Sequence, residues 1–145
     1  MTKKSFRKTL SANDVGATGT HQAGILVPKG EQDLLAFLPP LNAGIKNPDA
    51  WIYCTDENGN QRKFRLVYYN NKLHDKNGTR NEYRLTYMTG YLREMRAAEG
   101  DALEFSREDV NADYSVRLVR KVEAAAEAAD APVRIKITAG WRRIH

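Results

Sequence analysis

The eighteen acidic residues of this chain are the first place to look for chemistry, because carboxylates hold the metal ions of many phosphodiester-cleaving enzymes. Such a site needs an acid followed two positions later by lysine, so that one strand supplies both a metal ligand and a charge stabiliser. No acid here has lysine at that spacing, and the nearest strings, EYR at Glu82 and EMR at Glu94, have arginine instead. The pattern argues against metal-dependent cleavage by this chain.

Histidine and cysteine chemistry is equally sparse. The chain has three histidines and one cysteine, Cys54, with no HExxH string and no second cysteine for a zinc site. The string HDK at His74 begins like the HxKxxxxD motif of phospholipase D-type enzymes, but Asn81 stands where that motif needs aspartate. We therefore expect no catalytic residue and no metal site. Cys54 is predicted to be a small buried strand residue rather than a reactive thiol.

Short β-type segments recur along the chain and would position any functional side chain. Most are four to eight residues long and end at Gly, Asn, Asp or Pro, which is typical of a mainly β barrel or sandwich. They are SFRKTL, GILVP, AWIYCT, KFRLVYY, YRLTYM, ALEFS, YSVRLV and VRIKIT. In KFRLVYY, Phe64, Leu66 and Tyr68 alternate with Lys63 and Arg65, which predicts one buried and one exposed face. VRIKIT alternates in the same way.

Three segments have helical character: EQDLLAFL, GYLREMRAA and RKVEAAAEAAD. The first ends before Pro39 and the third before Pro132, because proline does not continue a helix. Such short helices would plug the ends of a barrel. The final GWRRIH is either a last strand or a tail, and residues 1–145 are expected to form a single domain.

Two polar stretches have no regular pattern, and positive charge lies close to both. SANDVGATGTHQAG covers residues 11–24, and NNKLHDKNGTRNE covers residues 70–82. Loops of this length in a compact domain are usually functional or disordered. Residues 1–10 hold four bases and no acid, and residues 60–84 hold seven bases against two acids. Nucleic acid is therefore the leading partner, with a merely solvated face as the alternative that charge alone leaves open.

The expected compartment is the cytoplasm. The longest apolar runs are far shorter than the roughly 20 residues that cross a bilayer, and no apolar segment follows the charged start. A lone cysteine forms no internal disulfide, which suits a reducing environment. No membrane association is expected.

The same two polar stretches carry a family resemblance. LSANDVGATGTHQAG and, about sixty residues later, YYN followed by TRNEYRLT closely resemble the N-terminal effector domain of EcoRII-type restriction endonucleases. The resemblance implies a DNA-binding pseudobarrel, an open barrel of seven to eight strands with short helices, shared with plant B-three transcription factor domains. Two loop arms, residues 8–24 and 69–84 here, would grip the major groove of double-stranded DNA.

The resemblance also implies how such a domain is used. The family's domain recognises a G·C-rich site of the CC-x-GG type and acts as a targeting or effector module. In the full enzyme it precedes a separate catalytic domain, the only part for which Mg²⁺ is expected. This chain is either the N-terminal fragment of such an enzyme or a natural small protein, and neither activity nor cofactor is expected in it. The isolated domain is expected to be a monomer.

Arg80, Glu82 and Arg84 supply hydrogen-bond donors and an acceptor that match the edges of a G·C pair. Guanine offers O6 and N7 to an arginine fork, and cytosine offers an amino group that a carboxylate accepts. Alternation would place these three side chains on one side of an extended segment, with Asn81 and Tyr83 on the other. Without the resemblance, an exposed, cross-paired Arg–Glu cluster on a surface strand is the favoured interpretation.

The rest of the predicted DNA-binding set lies in the two arms. Asp14 is predicted to match a base amino group, because phosphates repel a carboxylate, while an Asx-turn within SAND is the alternative. Asn13, His21 and Gln22 are predicted base or phosphate contacts, and Asn81 belongs to the same set. The predicted phosphate contacts are Lys8, Ser11, Thr18 and Lys76, and the predicted braces of the second arm are Tyr69 and Asn70.

The aromatic residues bear on which nucleic acid is bound. Trp51, Tyr53, Phe64 and Phe105 alternate within predicted strands and are predicted to pack in the core. Without exposed aromatic platforms, duplex DNA is favoured over single strands. Two other functions remain open: a nuclease activity without a recognisable motif, and protein interaction through the acidic segment 99–113.

Overall fold

The computed structural model describes residues 3–16, 24–130, 135–136 and 140–144. This part of the chain consists of nine strands and four short helices. The strands are β1 (Lys4–Thr9), β2 (Ile25–Val27), β3 (Asp49–Thr55), β4 (Gln61–Tyr69), β5 (Glu82–Thr86), β6 (Ala102–Arg107), β7 (Tyr114–Val119), β8 (Ile135–Lys136) and β9 (Trp141–Arg143). The helices are α1 (Gln32–Phe37), α2 (Asn71–His74), α3 (Thr89–Glu94) and α4 (Lys121–Asp130).

All nine described strands belong to one sheet, in the order β2-β5-β4-β3-β7-β6-β1-β9-β8. Neighbouring strands are antiparallel, except that β3 and β7 run parallel over two residue pairs that begin at Cys54 and Tyr114. The mainly β prediction is confirmed. The described strands outnumber the predicted seven or eight because GWRRIH supplies β9, which pairs with both β1 and β8.

The sheet curls until its two ends approach each other. Trp141 in β9 is the largest of the fully buried side chains, and its indole Nε1 donates a 2.8 Å hydrogen bond to the carbonyl oxygen of Leu26 in β2. β2 and β9 lie near opposite ends of the strand order, so this bond crosses the open side of the sheet. The architecture is an open half-barrel, and residues 141–143 of GWRRIH form a strand whose Trp141 belongs to the core.

Alternation along β4 separates the core from the outer face of the sheet. Phe64, Leu66 and Tyr68 are each at least 95% buried, whereas Lys63 is exposed and Arg65 is half-buried. The predicted faces are therefore confirmed for this strand. Of VRIKIT only Ile135–Lys136 is described, and the alternation predicted for the whole segment lies outside the described residues.

The three predicted helices are present as α1, α3 and α4. α1 and α3 place Leu34, Phe37, Tyr91 and Leu92 in the core, so these two helices do plug the barrel. α2 falls in the stretch predicted to be irregular. The sequence did not indicate this helix, because it is a single four-residue turn with no side-chain N-cap bond and no periodic apolar pattern. No helix in the described ranges is long and apolar enough to cross a membrane.

The prediction that four aromatic side chains pack in the core is correct for two of them. Phe64 and Phe105 are buried edge to face, with ring centroids 6.0 Å apart. Tyr53 is 57% exposed and Trp51 is only half-buried, so the prediction is wrong for Tyr53 and incomplete for Trp51. The reason is that β3 turns Ile52 inward, and its immediate neighbours in the strand must then point outward.

Cys54 lies on the buried face of β3, as predicted. Burial raises the pKa of its thiol to about 12, with a smaller contribution from the negative charge of Asp113. The thiol is therefore protonated at neutral pH and is a poor nucleophile.

Two acids of the segment 99–113 are part of the folded core. Glu104 accepts hydrogen bonds from Arg7 at 2.6 Å and Arg117 at 2.7 Å, which tie three neighbouring strands together. Asp101 accepts from the backbone amides of Ala98 and Lys121, both at 2.9 Å. Because these carboxylates are buried and paired, they do not form an acidic surface for a protein partner.

The closing hydrogen bond predicts a specific loss of stability. Trp141→Phe keeps an aromatic ring in the core but removes the Nε1 donor, which leaves the Leu26 carbonyl without that partner. We expect the free energy of unfolding to fall by about 1–3 kcal/mol, measured by urea denaturation. Trp51→Phe is the matched control, because this half-buried indole lies on the outer face; an equal loss in both variants would contradict a special role for Trp141.

Candidate nucleic-acid interface

The second predicted arm, residues 69–84, is an ordered excursion between β4 and β5. Two hydrogen bonds join its limbs. The Lys72 amide donates to the Arg80 carbonyl at 3.0 Å, and the Arg80 amide donates to Oδ1 of Asn71 at 2.8 Å. These bonds fix the position of Arg80 relative to α2, so the arm enters β5 at a defined angle.

Asn70 anchors this arm from inside the protein. It is fully buried, its side-chain amide donates to the carbonyls of Ala43 and Ile45 at 3.2 and 2.9 Å, and its Oδ1 accepts from the Asn47 amide at 2.7 Å. The loop 42–48 and the base of the arm are thereby joined. Asn70 has the bracing geometry that was predicted for it, and no surface from which to contact DNA in this arrangement.

Gly78 allows the arm to fold this tightly. A Cβ at this position would lie 2.1 Å from the Asn71 carbonyl oxygen and 2.8 Å from the Lys72 nitrogen, well inside van der Waals contact. The close approach involves backbone atoms, which do not move aside as a flexible side chain would. Glycine is therefore required by space at this position.

Arg80, Glu82 and Arg84 form one cluster on the outer face of β5. Glu82 accepts from Nε of Arg80 through Oε1 at 3.2 Å and from Nε of Arg84 through Oε2 at 2.7 Å. Arg84 also donates through Nη1 to the carbonyl of Gly24 at 3.1 Å, which links the second arm to the end of the first. The predicted grouping of the three side chains is confirmed.

The opposite side of the same segment faces the body of the protein. Tyr83 stacks on Tyr68 with ring centroids 4.2 Å apart and planes nearly parallel, and the Tyr68 hydroxyl donates to Oδ1 of Asn81 at 2.5 Å. Asn81 and Tyr83 therefore lie away from the arginines, as alternation predicted. In this arrangement Asn81 supports the arm.

The cluster leaves the end of the Arg80 guanidinium group available, whereas Nη1 of Arg84 donates to the Gly24 carbonyl. Both arginines use Nε toward Glu82, and in the part of the chain that the structure describes no acceptor contacts the Nη atoms of Arg80. The Arg80 guanidinium lies 3.8 Å from the centroid of the Tyr69 ring, which supports it from below. Held in this way, Arg80 presents a fixed donor pair of the kind that matches a guanine edge.

Glu82 stays ionised to an unusually low pH. Partial burial raises its pKa, but hydrogen bonds from Arg84 and Arg80, reinforced by their positive charges, outweigh burial and hold the pKa below 4.5. Each of its oxygens already accepts one arginine bond, and each keeps a second lone pair for another donor. Glu82 therefore orients the arginines whether or not it also accepts from a base.

The described part of the first arm begins with a compact turn at residues 11–14. The Ser11 amide donates to Oδ2 of Asp14 at 2.9 Å, and the Asp14 amide donates back to Oγ of Ser11 at 3.1 Å. These reciprocal bonds have the pattern of a capping box and differ from an Asx-turn, in which Asp14 would accept from an amide two residues later, so the Asx-turn stays a prediction. The Asp14 carboxylate also lies on the wall of the cleft described below.

Lys8 is buried beneath this turn. Its side chain is 8% exposed, and its Nζ donates to Oδ2 of Asp14 and to the Thr9 carbonyl, both at 2.8 Å. The ammonium group is directed into the arm and not toward solvent. The geometry of Lys8 favours a role in holding Asp14. The predicted contact of Lys8 with a phosphate remains a prediction, and it would require the bond between Lys8 and Asp14 to break.

The remaining predicted contacts divide by where they lie. Ser11, Asn13 and Lys76 are exposed on the two arms and accessible to a ligand. Thr18, His21 and Gln22 lie outside the described residues, so their predicted roles stay predictions.

A cleft of about 370 Å³ runs between the two arms. The first arm contributes Asp14 and Gly24 and the second contributes Tyr69 and Arg80, so both predicted arms meet at one site. The rest of the lining comes from the sheet and the start of α3: Ile25, Arg65, Thr86, Tyr87, Met88 and Thr89. No group of three or more potential metal ligands occurs among the described residues.

The sequence did not single out Arg65 and Tyr87 as site residues. Arg65 is on the outer face of β4 and donates through Nε to Oδ2 of Asp49 at 2.7 Å. Its outward position could have been inferred from the alternation of KFRLVYY, which also placed it within the basic stretch. Tyr87 lies at a bend with φ of +67°, which no sequence pattern marks.

Comparison with known proteins agrees with this geometry. The family model described as "Restriction endonuclease EcoRII, N-terminal" matches residues 2–113, which contain both arms and the cleft. The chain belongs to the EcoRII N-terminal domain family. The motifs that suggested the resemblance therefore lie in a match that covers most of the chain.

A curated relative supports the same family assignment. The type II restriction enzyme EcoRII of Escherichia coli is 38% identical over 70 residues, which are 46% of this chain. The match covers 17% of the length of that enzyme. Most of the relative therefore has no counterpart in the matched segment.

The low pKa of Glu82 predicts pH-dependent stability. A carboxylate whose pKa is lower in the folded state stabilises the fold above its unfolded pKa, about 4.5, and this contribution is lost as pH falls through the folded value. Glu82→Gln should lower the free energy of unfolding at pH 7 by about 1 kcal/mol, because part of the charge is solvent-screened.

The measurement is urea denaturation at pH 7 and again at about pH 3, where we expect the difference between wild type and Glu82→Gln to be smaller. Glu99→Gln is the control, since Glu99 is exposed in a turn, and its effect should stay within about 0.5 kcal/mol at both pH values. A difference between wild type and Glu82→Gln that stays constant with pH would mean that packing, not charge, had been lost.

Proposed function

We propose that this chain is a sequence-specific double-stranded DNA-binding domain whose two arms enter the major groove and grip a short G·C-rich site of the CC-x-GG type. It acts as the targeting or effector part of a type II restriction endonuclease. Catalysis then belongs to a separate linked domain, and Mg²⁺ is required only there.

The observation that carries the proposal is the Arg80–Glu82–Arg84 cluster beside the cleft between the arms. A purely structural ion-pair cluster on the surface would explain why these charges occur together, but not why they lie between the two arms. Arg84 also donates to Gly24 of the first arm, and Arg80 lines the cleft that both arms share. Both arms thus meet where the donors are fixed. The family match supports the same conclusion.

The chemistry of the cluster fits guanine better than phosphate. A phosphate contact needs a positive charge within reach and tolerates a mobile side chain. Reading O6 and N7 of guanine needs a planar fork held at a fixed angle, and Glu82 and the Tyr69 ring restrict Arg80 in that way. Glu82 can accept from a cytosine amino group through its remaining lone pairs.

Phosphate contacts would come from the exposed groups around the cleft. Lys76 at the tip of the second arm and Ser11 in the first arm are accessible, and Arg65 adds a further base on the sheet. These contacts would position the duplex without carrying sequence information. The predicted Thr18, His21 and Gln22 contacts are retained within the same proposal.

Selection of bound duplexes from a random library tests the function directly. We expect enrichment of one G·C-rich motif, with affinity for it about a thousandfold or more above random DNA at physiological salt. Recovery of no motif would reject sequence-specific binding. Specific cutting of a plasmid by the pure chain with Mg²⁺ would reject the assignment of catalysis to another domain.

The cluster predicts a selective loss of affinity. Arg80→Ala and Arg84→Ala should each weaken binding to the selected site by about 1–3 kcal/mol and change binding to random DNA little, measured by fluorescence anisotropy. Arg93→Ala is the control, because this exposed side chain makes no ion pair within the described part of the chain and its removal costs one charge alone. Equal losses on both DNAs would assign the arginines to phosphates.

The tight turn of the second arm predicts that its shape matters apart from its charge. Gly78→Ala forces the arm away from Asn71, so we expect affinity for the selected site to fall by about tenfold or more, because base contacts need placement within about 0.5 Å. Gly30→Ala is the matched control, since no atom lies within 4 Å of the added methyl group. Unchanged affinity of Gly78→Ala would show that the arm adapts freely to DNA.

A further inference from the structure

A group of outward-facing side chains lies next to the cleft, on the outer face of β3 and β4 and at the bend after β5. This aromatic patch consists of Trp51, Tyr53, Lys63 and Tyr87. Trp51 and Tyr87 meet edge to face with ring centroids 5.0 Å apart, and Lys63 Nζ lies 4.8 Å from the centroid of the Trp51 ring. Tyr53 and Tyr87 are 57% and 68% exposed. The patch therefore offers apolar ring surface and a positive charge to solvent.

Tyr87 has a backbone conformation that residues with a side chain rarely adopt. Its φ of +67° lies in the left-handed region, which is unfavourable for a residue with a Cβ, and its high exposure means that core packing does not compensate for the strain. Strain of about 1–3 kcal/mol at an exposed residue is typical of a functional position. The bend after β5 thus turns an aromatic ring outward beside the cleft.

The patch is continuous with the proposed DNA site. Tyr87 lines the cleft together with Arg80 and Arg65, and Arg65 is the register partner of Trp51 across the β3–β4 pair. A strand advances about 3.3 Å per residue, so Lys63 lies about 7 Å beyond Arg65 along β4. This distance equals about two base pairs at 3.4 Å each. A duplex that follows the sheet would leave the arms and pass over the patch.

The charge of the patch indicates what covers it. No carboxylate in the described part of the chain forms an ion pair with Lys63, whose ammonium lies over the Trp51 ring. A phosphate would pair with this cation, and the neighbouring rings would pack against deoxyribose. A sugar–phosphate backbone combines these anionic and apolar features.

We propose that the aromatic patch binds the duplex that flanks the recognition site, extending the interface beyond the bases that the arms read. This inference rests on the proposed function. Its consequence is that Tyr53 and Lys63, which lie outside the lining of the cleft, contribute affinity only when DNA continues past the site, whereas Arg80 and Arg84 contribute in either case.

The test compares two duplexes that share the selected site. One ends at the last base pair of the site and the other continues about ten on each side. In fluorescence anisotropy at fixed salt, Tyr53→Ser and Lys63→Gln should each weaken binding to the long duplex by about three- to tenfold and leave the short one within about twofold. Tyr53 is 57% exposed, so the melting temperature of Tyr53→Ser should change little. Lys4→Gln on β1 is the charge control and should not distinguish the duplexes.

Each alternative result separates the two proposals. Equal losses on both duplexes would place the patch within the site and overturn the flank assignment. No loss on either duplex, while the wild type still selects its motif, would overturn it in favour of another partner such as a protein. A wild type that selects no motif would instead reject the proposed function itself.

Discussion

The curl of the sheet is the constraint on which the rest of the molecule depends. A flat sheet with this strand order would hold β2 and β9 far apart, but the buried indole of Trp141 donates to the Leu26 carbonyl and keeps the two ends together. The indole fills the space between them, and the rings of Phe6, Phe37 and Tyr114 continue the packing, with neighbouring centroids 4.9 and 5.2 Å apart. Gly24, where the first arm returns to the sheet, is adjacent to β2 and is positioned by the same closure.

Both arms are attached to this curled sheet by polar groups that have little freedom. Asn70 fastens the second arm through three side-chain hydrogen bonds to the loop 42–48, and Lys8 fastens the first through its buried bond to Asp14. Arg84 then joins the two arms through the Gly24 carbonyl. The donors that face the cleft are therefore set by the fold before any ligand arrives, which reduces the entropy lost on binding.

Much of this organisation could be predicted from the sequence, because it depends on local alternation and on turn residues. The strands, three of the helices and the grouping of Arg80 with Glu82 and Arg84 follow from patterns only a few residues long. What could not be predicted depends on neighbours distant in sequence. The burial of Lys8 requires the turn at Asp14, and the fit of Gly78 requires the carbonyl of Asn71.

The aromatic residues illustrate the same limit. Alternation shows that Trp51 and Tyr53 lie on defined faces of β3, but not which face is inside, and Ile52 and Cys54 occupy the core instead. The C-terminal GWRRIH was ambiguous for a related reason, since a three-residue strand has no period to detect. Its place is decided by pairing with β1, more than 130 residues earlier in the chain.

The sharing of Glu82 between two arginines affects how the protein would move along DNA. Residence on arbitrary sequence grows with each phosphate that a protein neutralises, and a genome offers millions of such competing positions. An internal carboxylate that already pairs with both guanidinium groups lowers the net charge of the cluster to that of a single basic residue. The arginines can then be held rigidly enough to recognise guanine, while the net charge of the cluster stays too small to bind the protein tightly to DNA of arbitrary sequence. If the proposed function holds, a domain built in this way would leave incorrect sites quickly, and its search for the correct site would be correspondingly shorter.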